Sequence, residues 1–253
     1  MLKRFVVAFL LLLSSAALAA EINVMISGGL TPVLEAVKGR FETESGHKLR
    51  VVRGGSLGGS PNAIPERLER GEPADVLVMV GDGFDALAKR GHAEQASRVD
   101  IAKSSIAMGV KAGNPRPDIS TVEALKATLL EAKAVAISRS ASGVYIETVL
   151  YPRLGIADEM RPKTVKATDE LVGHILMRSE APIGFQQLSE IRSVPGVEPA
   201  GFLPGDTQKI TVFSAGIAAK AAQREAGKAL IDYLASAKVR DAIVAAGLEP
   251  LDR

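Results

Sequence analysis

The chain contains no cysteine and no tryptophan, and only three histidines, three tyrosines and seven phenylalanines among 253 residues. Lack of cysteine excludes disulfide staples, a thiolate nucleophile or metal ligand, and a lipid carried on sulfur. His47, His92 and His174 lie far apart, and no His/Asp/Glu group has metal-ligand spacing, so neither metal nor cofactor is expected. His47 and His92 each adjoin a glycine near an expected helix end, where an exposed histidine is ordinary. Few aromatics and no basic excess exclude the stacking surface and electrostatic field of a nucleic-acid binder. Beyond residue 20 no apolar run is long enough for a membrane helix, so no membrane anchor is expected.

What is present begins at the N-terminus. Lys3 and Arg4 precede an unbroken apolar run from Phe5 to Leu13, followed by Ser14-Ser15-Ala16-Ala17-Leu18-Ala19-Ala20. This pattern predicts a cleavable secretory signal over residues 1–19, cut after Ala19 or one residue later, and a periplasmic location. The formal charge of 31 basic against 29 acidic residues then becomes 29 against 29, because Lys3 and Arg4 leave with the signal. A neutral chain of this size has to be stabilised by burial alone, which its length permits.

Strand and helix patterns alternate along the rest. Ile22 to Ser27 reads as a strand, and Leu30, Val33, Leu34, Val37 and Phe41 recur at helical spacing. Thr31 reads as a helix N-cap, with Pro32 at the first helical position, and Gly46 as the helix stop. Further strands are expected at Lys48–Arg53, Asp75–Val80, Ser104–Val110, Ala134–Ser138, Ile183–Gln186 and Ile210–Ser214. Between them lie helices around Ile64–Leu68, from a Ser120-Thr121-Val122-Glu123 capping box to about Leu130, over Val144–Leu154, and after Thr168 as cap. The Pro/Gly-punctuated stretch Val194–Gly205 reads as a connector, and helices fill Gln223–Ala246. The fold class is α/β with mostly parallel sheet.

Three strands run out into small, hydroxyl-rich loops that open helices: Ser27-Gly28-Gly29, Gly54 through Asn62, and Ser138 through Gly143. Helix starts present free N–H groups and a positive dipole end, and ligands of open α/β sheets collect at the carboxyl ends of strands. The repetition points to an anion pocket, although each loop taken singly is equally at home as a turn and cap. The Gly54–Ser60 segment has neither a P-loop ending nor dinucleotide spacing.

The Ser-Gly-Gly-Leu loop with its helix, the Gly/Ser loop running into Gly71-Glu72-Pro73-Ala74-Asp75-Val76, the segment Glu180-Ala181-Pro182-Ile183-Gly184-Phe185 and the tail Tyr233-Leu234-Ala235-Ser236 through Ala246-Gly247-Leu248-Glu249-Pro250 resemble the periplasmic molybdate-binding protein family. The resemblance implies the two-lobed type II solute-binding fold, with 20–103 plus 209–253 as one lobe, 104–208 as the other, and an anion between them. Carried over by position, it implies ligand contacts at Ser27 with Gly28 and Gly29, near Gly59 and Ser60 within a residue or two, and at Ser142 and Leu171. The family's tyrosine falls at Gln187, beside Gln186, and Arg139 adds a cation at the mouth, next to Ser140; Arg53 is a further candidate.

A guanidinium forks onto a carboxylate and a glutamine both donates and accepts, so these departures favour an organic di- or tricarboxylate over molybdate, with Arg139 as principal anchor. Two functions follow. One is a solute-binding protein delivering a small anion to an ABC importer. The other is an enzyme, since the chain also resembles periplasmic aconitate isomerases, with Tyr145 and His174 the only candidates for a base and Tyr145 a possible ligand contact. The greater number of binders on this fold favours the first.

Overall fold

A computed structural model describes residues 19–251, so the expected signal segment lies, but for its last residue, outside the described residues. The chain builds β1 (Glu21–Ile26), β2 (Lys48–Arg53), β3 (Val76–Val80) and β4 (Val99–Ser104), then crosses at Ser105 into a second sheet. There it forms β5 (Ile106–Lys111), β6 (Val135–Ser138), β7 (Thr164–Ala167), β8 (Ile183–Gln187) and β9 (Val197–Phe202). It returns to the first sheet with β10 (Thr211–Ile217) and β11 (Glu249–Pro250). The strand orders are β11-β4-β10-β3-β1-β2 and β7-β6-β8-β5-β9.

Helices cover both sheets. The first lobe carries α1 (Thr31–Ser45), α2 (Ile64–Glu69) and α3 (Gly81–Lys89), and the second carries α4 (Val122–Glu131), α5 (Ala141–Tyr145), α6 (Tyr151–Leu154), α7 (Ala157–Met160), α8 (Val172–Met177) and α9 (Leu188–Arg192). The first lobe is completed by α10 (Arg224–Leu234) and α11 (Arg240–Ala245). Alternate residues of one strand feed separate apolar clusters: Val76, Val78 and Val80 pack with α1 and α10, whereas Leu77 and Met79 pack with Phe84 and Leu87 of α3. Val135 and Ile137 against Ala136 divide the second sheet in the same way.

The structure is α/β and two-lobed, but its sheets are mixed. Pairing is parallel within β2-β1-β3 and β7-β6-β8, as the alternating pattern implies. The strands nearest the crossings, β10 and β5, run antiparallel to their neighbours because each carries the chain into or out of a lobe. The connector expected at Val194–Gly205 contains β9, an edge strand where Pro199 and Gly201 are tolerated because β9 pairs only with β5. Strands β4, β7 and β11 also escape the periodicity reading, being partly exposed or very short.

Local signals hold unevenly. Gly46 caps α1 in the left-handed region at φ 75°, as expected. Thr31 is instead the first helical residue, and its hydroxyl donates to the Ser27 carbonyl. Thr121 rather than Ser120 caps α4, accepting from the Ala124 N–H at 3.1 Å. Thr168 caps nothing; the cap of α8 is Leu171. His47 is buried rather than exposed, its Nδ1 accepting from the Ala20 N–H.

Asp75, from the Gly-x-Pro-Ala-Asp element, is 1% exposed and accepts from the Asn23 N–H at 2.7 Å and the Ala222 and Gln223 N–H groups at 2.8 Å each. It thereby ties β1 to the start of α10. Asp75→Ala strands these donors in the interior, and we expect a loss of about 3 kcal/mol, read as a lower urea midpoint with an unchanged slope.

Candidate functional site

The three glycine-containing loops meet at the seam between the sheets. Ser27 follows β1 and opens a short 3-10 turn into α1; Gly54 through Asn62 links β2 to α2; Ser138 through Gly143 links β6 to α5. Around them lies an open cavity of about 520 Å³, with a smaller inner recess beneath it. Several hydrogen bonds bridge the lobes there. Asp169 accepts from the Ser60 hydroxyl at 2.5 Å and from Asn62 Nδ2 at 3.0 Å, Ser56 N–H donates to Ser140 Oγ, and Ser189 donates to the Gly29 carbonyl.

Of the residues singled out by sequence, Ser27, Gly28, Gly29, Ser140, Ser142 and Gln187 line the inner recess. Arg53, Ser60, Arg139, Leu171, Gln186 and His174 line the outer cavity. Gly59 lines neither; its N–H donates to Glu66. Tyr145 is also elsewhere: its hydroxyl donates to the Thr207 carbonyl at 2.8 Å, and burial raises its pKa, so it is no base for this cleft. His174 stands half exposed at the rim, 3.8 Å from Glu170.

Arg139 stands at the mouth, as expected, but neither cation is a buried anchor. Arg53 is exposed and ion-paired with Glu35. Arg139 is exposed at the rim, its Nε donating to Thr168 Oγ1 at 2.7 Å, and no ion pair forms on it among the described residues. It is a mouth charge rather than the floor of the site, because the residue following β6 points along the loop toward solvent.

The floor is made of neutral groups and one acid. Gln186 accepts from the Val172 N–H at 2.8 Å through Oε1, and Gln187 donates to Thr211 Oγ1 at 2.9 Å. Of the five buried side-chain atoms left without a partner among the described residues, two, Ser27 Oγ and Gln187 Oε1, belong to the lining of the inner recess. Ser138, which sequence reasoning passed over, is the hub of its loop: its hydroxyl accepts from the Ser140 and Gly143 N–H groups and meets Ser142 Oγ at 3.2 Å. Ser56 is the glycine-loop serine that reaches the recess, while Ser60 sits at the mouth. Gly54-Gly55-Ser56-Leu57-Gly58 has the letters of a nucleophile elbow, but Ser56 Oγ accepts from the Val80 N–H and no histidine lines the recess.

Glu190 is the residue the sequence did not disclose. It occupies the first turn of α9, a helix the periodicity does not predict, three residues after the cap Gln187. Its carboxyl lies against Gly28, where a side chain would overlap it. Burial pushes its pKa from an ordinary 4.5 up to about 7, against the opposing hydrogen bonds of the Gln187 main chain and the Gln186 amide. Among the described residues no group of acids and histidines is placed to hold a metal.

A family model for bacterial extracellular solute-binding proteins matches residues 22–249. The chain belongs to this family. It is 43% identical over 246 residues to the aconitate isomerase of a Pseudomonas species, covering 96% of this chain and 94% of that one. It is 26% identical over 241 residues to the molybdate-binding protein ModA of Azotobacter vinelandii, covering 93% and 92%. The solved periplasmic molybdate-binding protein of Azotobacter vinelandii superposes with a TM-score of 0.71 at 20% identity, over 91% of this chain and all of that one. The two-lobed fold is thus that of the periplasmic binding proteins, and a small ligand belongs in the cleft. No described helix is long and apolar enough to cross a membrane.

The raised pKa has a consequence for stability. The folded protein keeps the Glu190 proton to higher pH than the unfolded chain, so stability is lost as pH rises from about 4.5 through about 7. The stability difference between wild type and Glu190→Gln should shift by about 3 kcal/mol in the variant's favour between pH 5 and pH 8. Paired urea titrations at the two pH values measure it; a constant difference means that Glu190 is charged throughout.

Proposed function

We propose that this protein is a periplasmic isomerase of aconitate, holding a small unsaturated tricarboxylate between its lobes and shifting its double bond. The observation that carries the reading is the polar inventory of the inner recess. A fully deprotonated oxyanion such as molybdate only accepts hydrogen bonds, so a site built for it presents donors. Here the recess also contains a buried carboxyl, Glu190, whose ionised form repels such an ion and has no proton to take from it. A tricarboxylate gives its carboxylates to the same hydroxyl and N–H donors, but it also brings a weakly acidic C–H bond from which a buried carboxylate can take a proton. The 43% identity with an aconitate isomerase, extending over nearly the whole of both chains, supports the same reading.

The second reading, a binding component for an ABC importer, is favoured by membership of the solute-binding family. In either case Arg139 draws the anion to the mouth and the loop hydroxyls hold it. The expected secretory signal fits action of either kind in the periplasm.

Incubation of the purified protein with trans-aconitate, followed by absorbance and by the content of cis isomer, tests the proposal. Catalytic conversion is expected; tight binding without conversion supports the importer reading instead. Because Arg139 is exposed, Arg139→Ala should weaken tricarboxylate binding by only about fivefold, less at high salt. Calorimetry at two ionic strengths checks this, and tight molybdate binding by the wild type would count against a carboxylate site.

A further inference from the structure

We propose that Glu190 is the proton-carrying group of this cleft. Its carboxylate takes a proton from the methylene carbon of the bound tricarboxylate and its carboxyl returns one to the carbon at the other end of the allylic system. This rests on the isomerase reading above. In the first step the C–H bond breaks, its electron pair becomes the new C=C bond, and the old C=C pair is delocalised onto the far carbon and its carboxylate. In the second step that carbon regains a proton from Glu190 and the carboxylate is regenerated. No oxidant, reductant or co-reactant is consumed.

The geometry points to this group and to no other. Among the described residues lining the inner recess, Glu190 is the one ionisable side chain. The ionisable groups of the outer cavity have other engagements or lie in solvent. Glu35 pairs with Arg53, Arg67 with Glu72, and Glu170 with Arg178, while Asp169 clasps Ser60 and Asn62. His174 is half exposed beside Glu170, where an imidazole exchanges protons with water before it meets a buried carbon.

The surroundings of Glu190 also fit proton transfer. Gly28 leaves room for the carboxyl where any side chain would collide with it. The unpartnered Ser27 hydroxyl lines the same recess, so a carboxylate that accepts from it is brought beside Glu190. Helix α9 packs on β5, β8, β9, α8 and the turn at Gly28. The charged or titratable side chains on these elements and on α9 itself are Lys111, Glu198, His174 and Arg192. Lys111 donates to the Met177 carbonyl, Glu198 pairs with Arg116, and none of the four forms an ion pair with Glu190. Burial therefore governs its titration, and a carboxyl that ionises near neutral pH can both accept and give back a proton.

The alternative role for Glu190 is structural, as the acid of a capping box on α9. The two roles part in the following experiment on the full chain. Wild type, Glu190→Gln and Glu190→Asp are compared for turnover of trans-aconitate, for exchange of its methylene protons in heavy water by NMR, and for calorimetric binding of tricarballylate. That saturated tricarboxylate has no double bond to move.

The expected result is that Glu190→Gln binds tricarballylate within about threefold of wild type but loses turnover and exchange by about 10²- to 10⁴-fold. Wild-type kcat/KM should rise with pH along a limb near 7, and Glu190→Asp should keep part of the activity with a displaced limb. Turnover by Glu190→Gln within about tenfold of wild type overturns the assignment while leaving the isomerase reading intact. So does a wild-type profile that is flat from pH 5 to 8, which decides the matter even if Glu190→Gln does not fold. A wild type that binds tricarballylate yet neither converts trans-aconitate nor exchanges its protons overturns the isomerase reading itself, and this assignment with it.

Discussion

Where the chain passes between the sheets, the Gln208 side chain hydrogen-bonds in both directions to the main chain of Ile106. Its Oε1 accepts from the Ile106 N–H and its Nε2 donates to the Ile106 carbonyl, each at 2.9 Å. The side-chain amide thus takes the place of a strand neighbour at the point where β5 begins and β10 is about to return. Leu188 N–H donates to the Ser105 carbonyl beside it, and Gln187 bonds Thr211 across the same seam. The crossings are fixed against each other and against the start of α9, so the loops at the strand ends face one another across a defined gap.

That gap explains the polarity of the site. Strands ending at a seam leave backbone groups that a continued sheet would have paired, and the serine-rich loops absorb most of them. Ser138 takes two N–H groups and Ser56 takes another. What is left over, Ser27 Oγ and Gln187 Oε1, is expensive to bury unpaired, at about 1–3 kcal/mol each. A carboxylate that accepts from Ser27 recovers part of that cost on binding. The fold therefore stores binding energy for a small polar molecule in its own unsatisfied groups, with the exposed Arg139 contributing attraction at longer range.

Glu190 fits the same economy with a different outcome. Held in the recess by the docking of α9, it meets its solvation loss by keeping a proton to near neutral pH rather than by pairing with a cation. In a receptor for fully charged anions its ionised form repels the ligand. In a cleft whose ligand has a weakly acidic C–H bond, it supplies the chemistry that fixed hydroxyls and amides lack.

The alternation of strand and helix, the α1 periodicity ending at Gly46, the glycine loops at strand ends and the family were all determined by the sequence, because each is a property of a few consecutive residues. Ser27 and Gln187 were also legible, through the family pattern. Only the tertiary structure decided that Ser56 rather than Ser60 reaches the recess, that Tyr145 turns away to Thr207, and that Arg139 is exposed and bonded to Thr168. Glu190 shows the reason most clearly. Its spacing from Gln187 is that of an ordinary capping acid, and what makes it more is contact with Gly28, far away along the chain. The neighbouring bond from Ser189 to Gly29 spans 160 residues. Local pattern reports propensity and periodicity, whereas burial, and with it proton affinity, is set by which distant segments pack together.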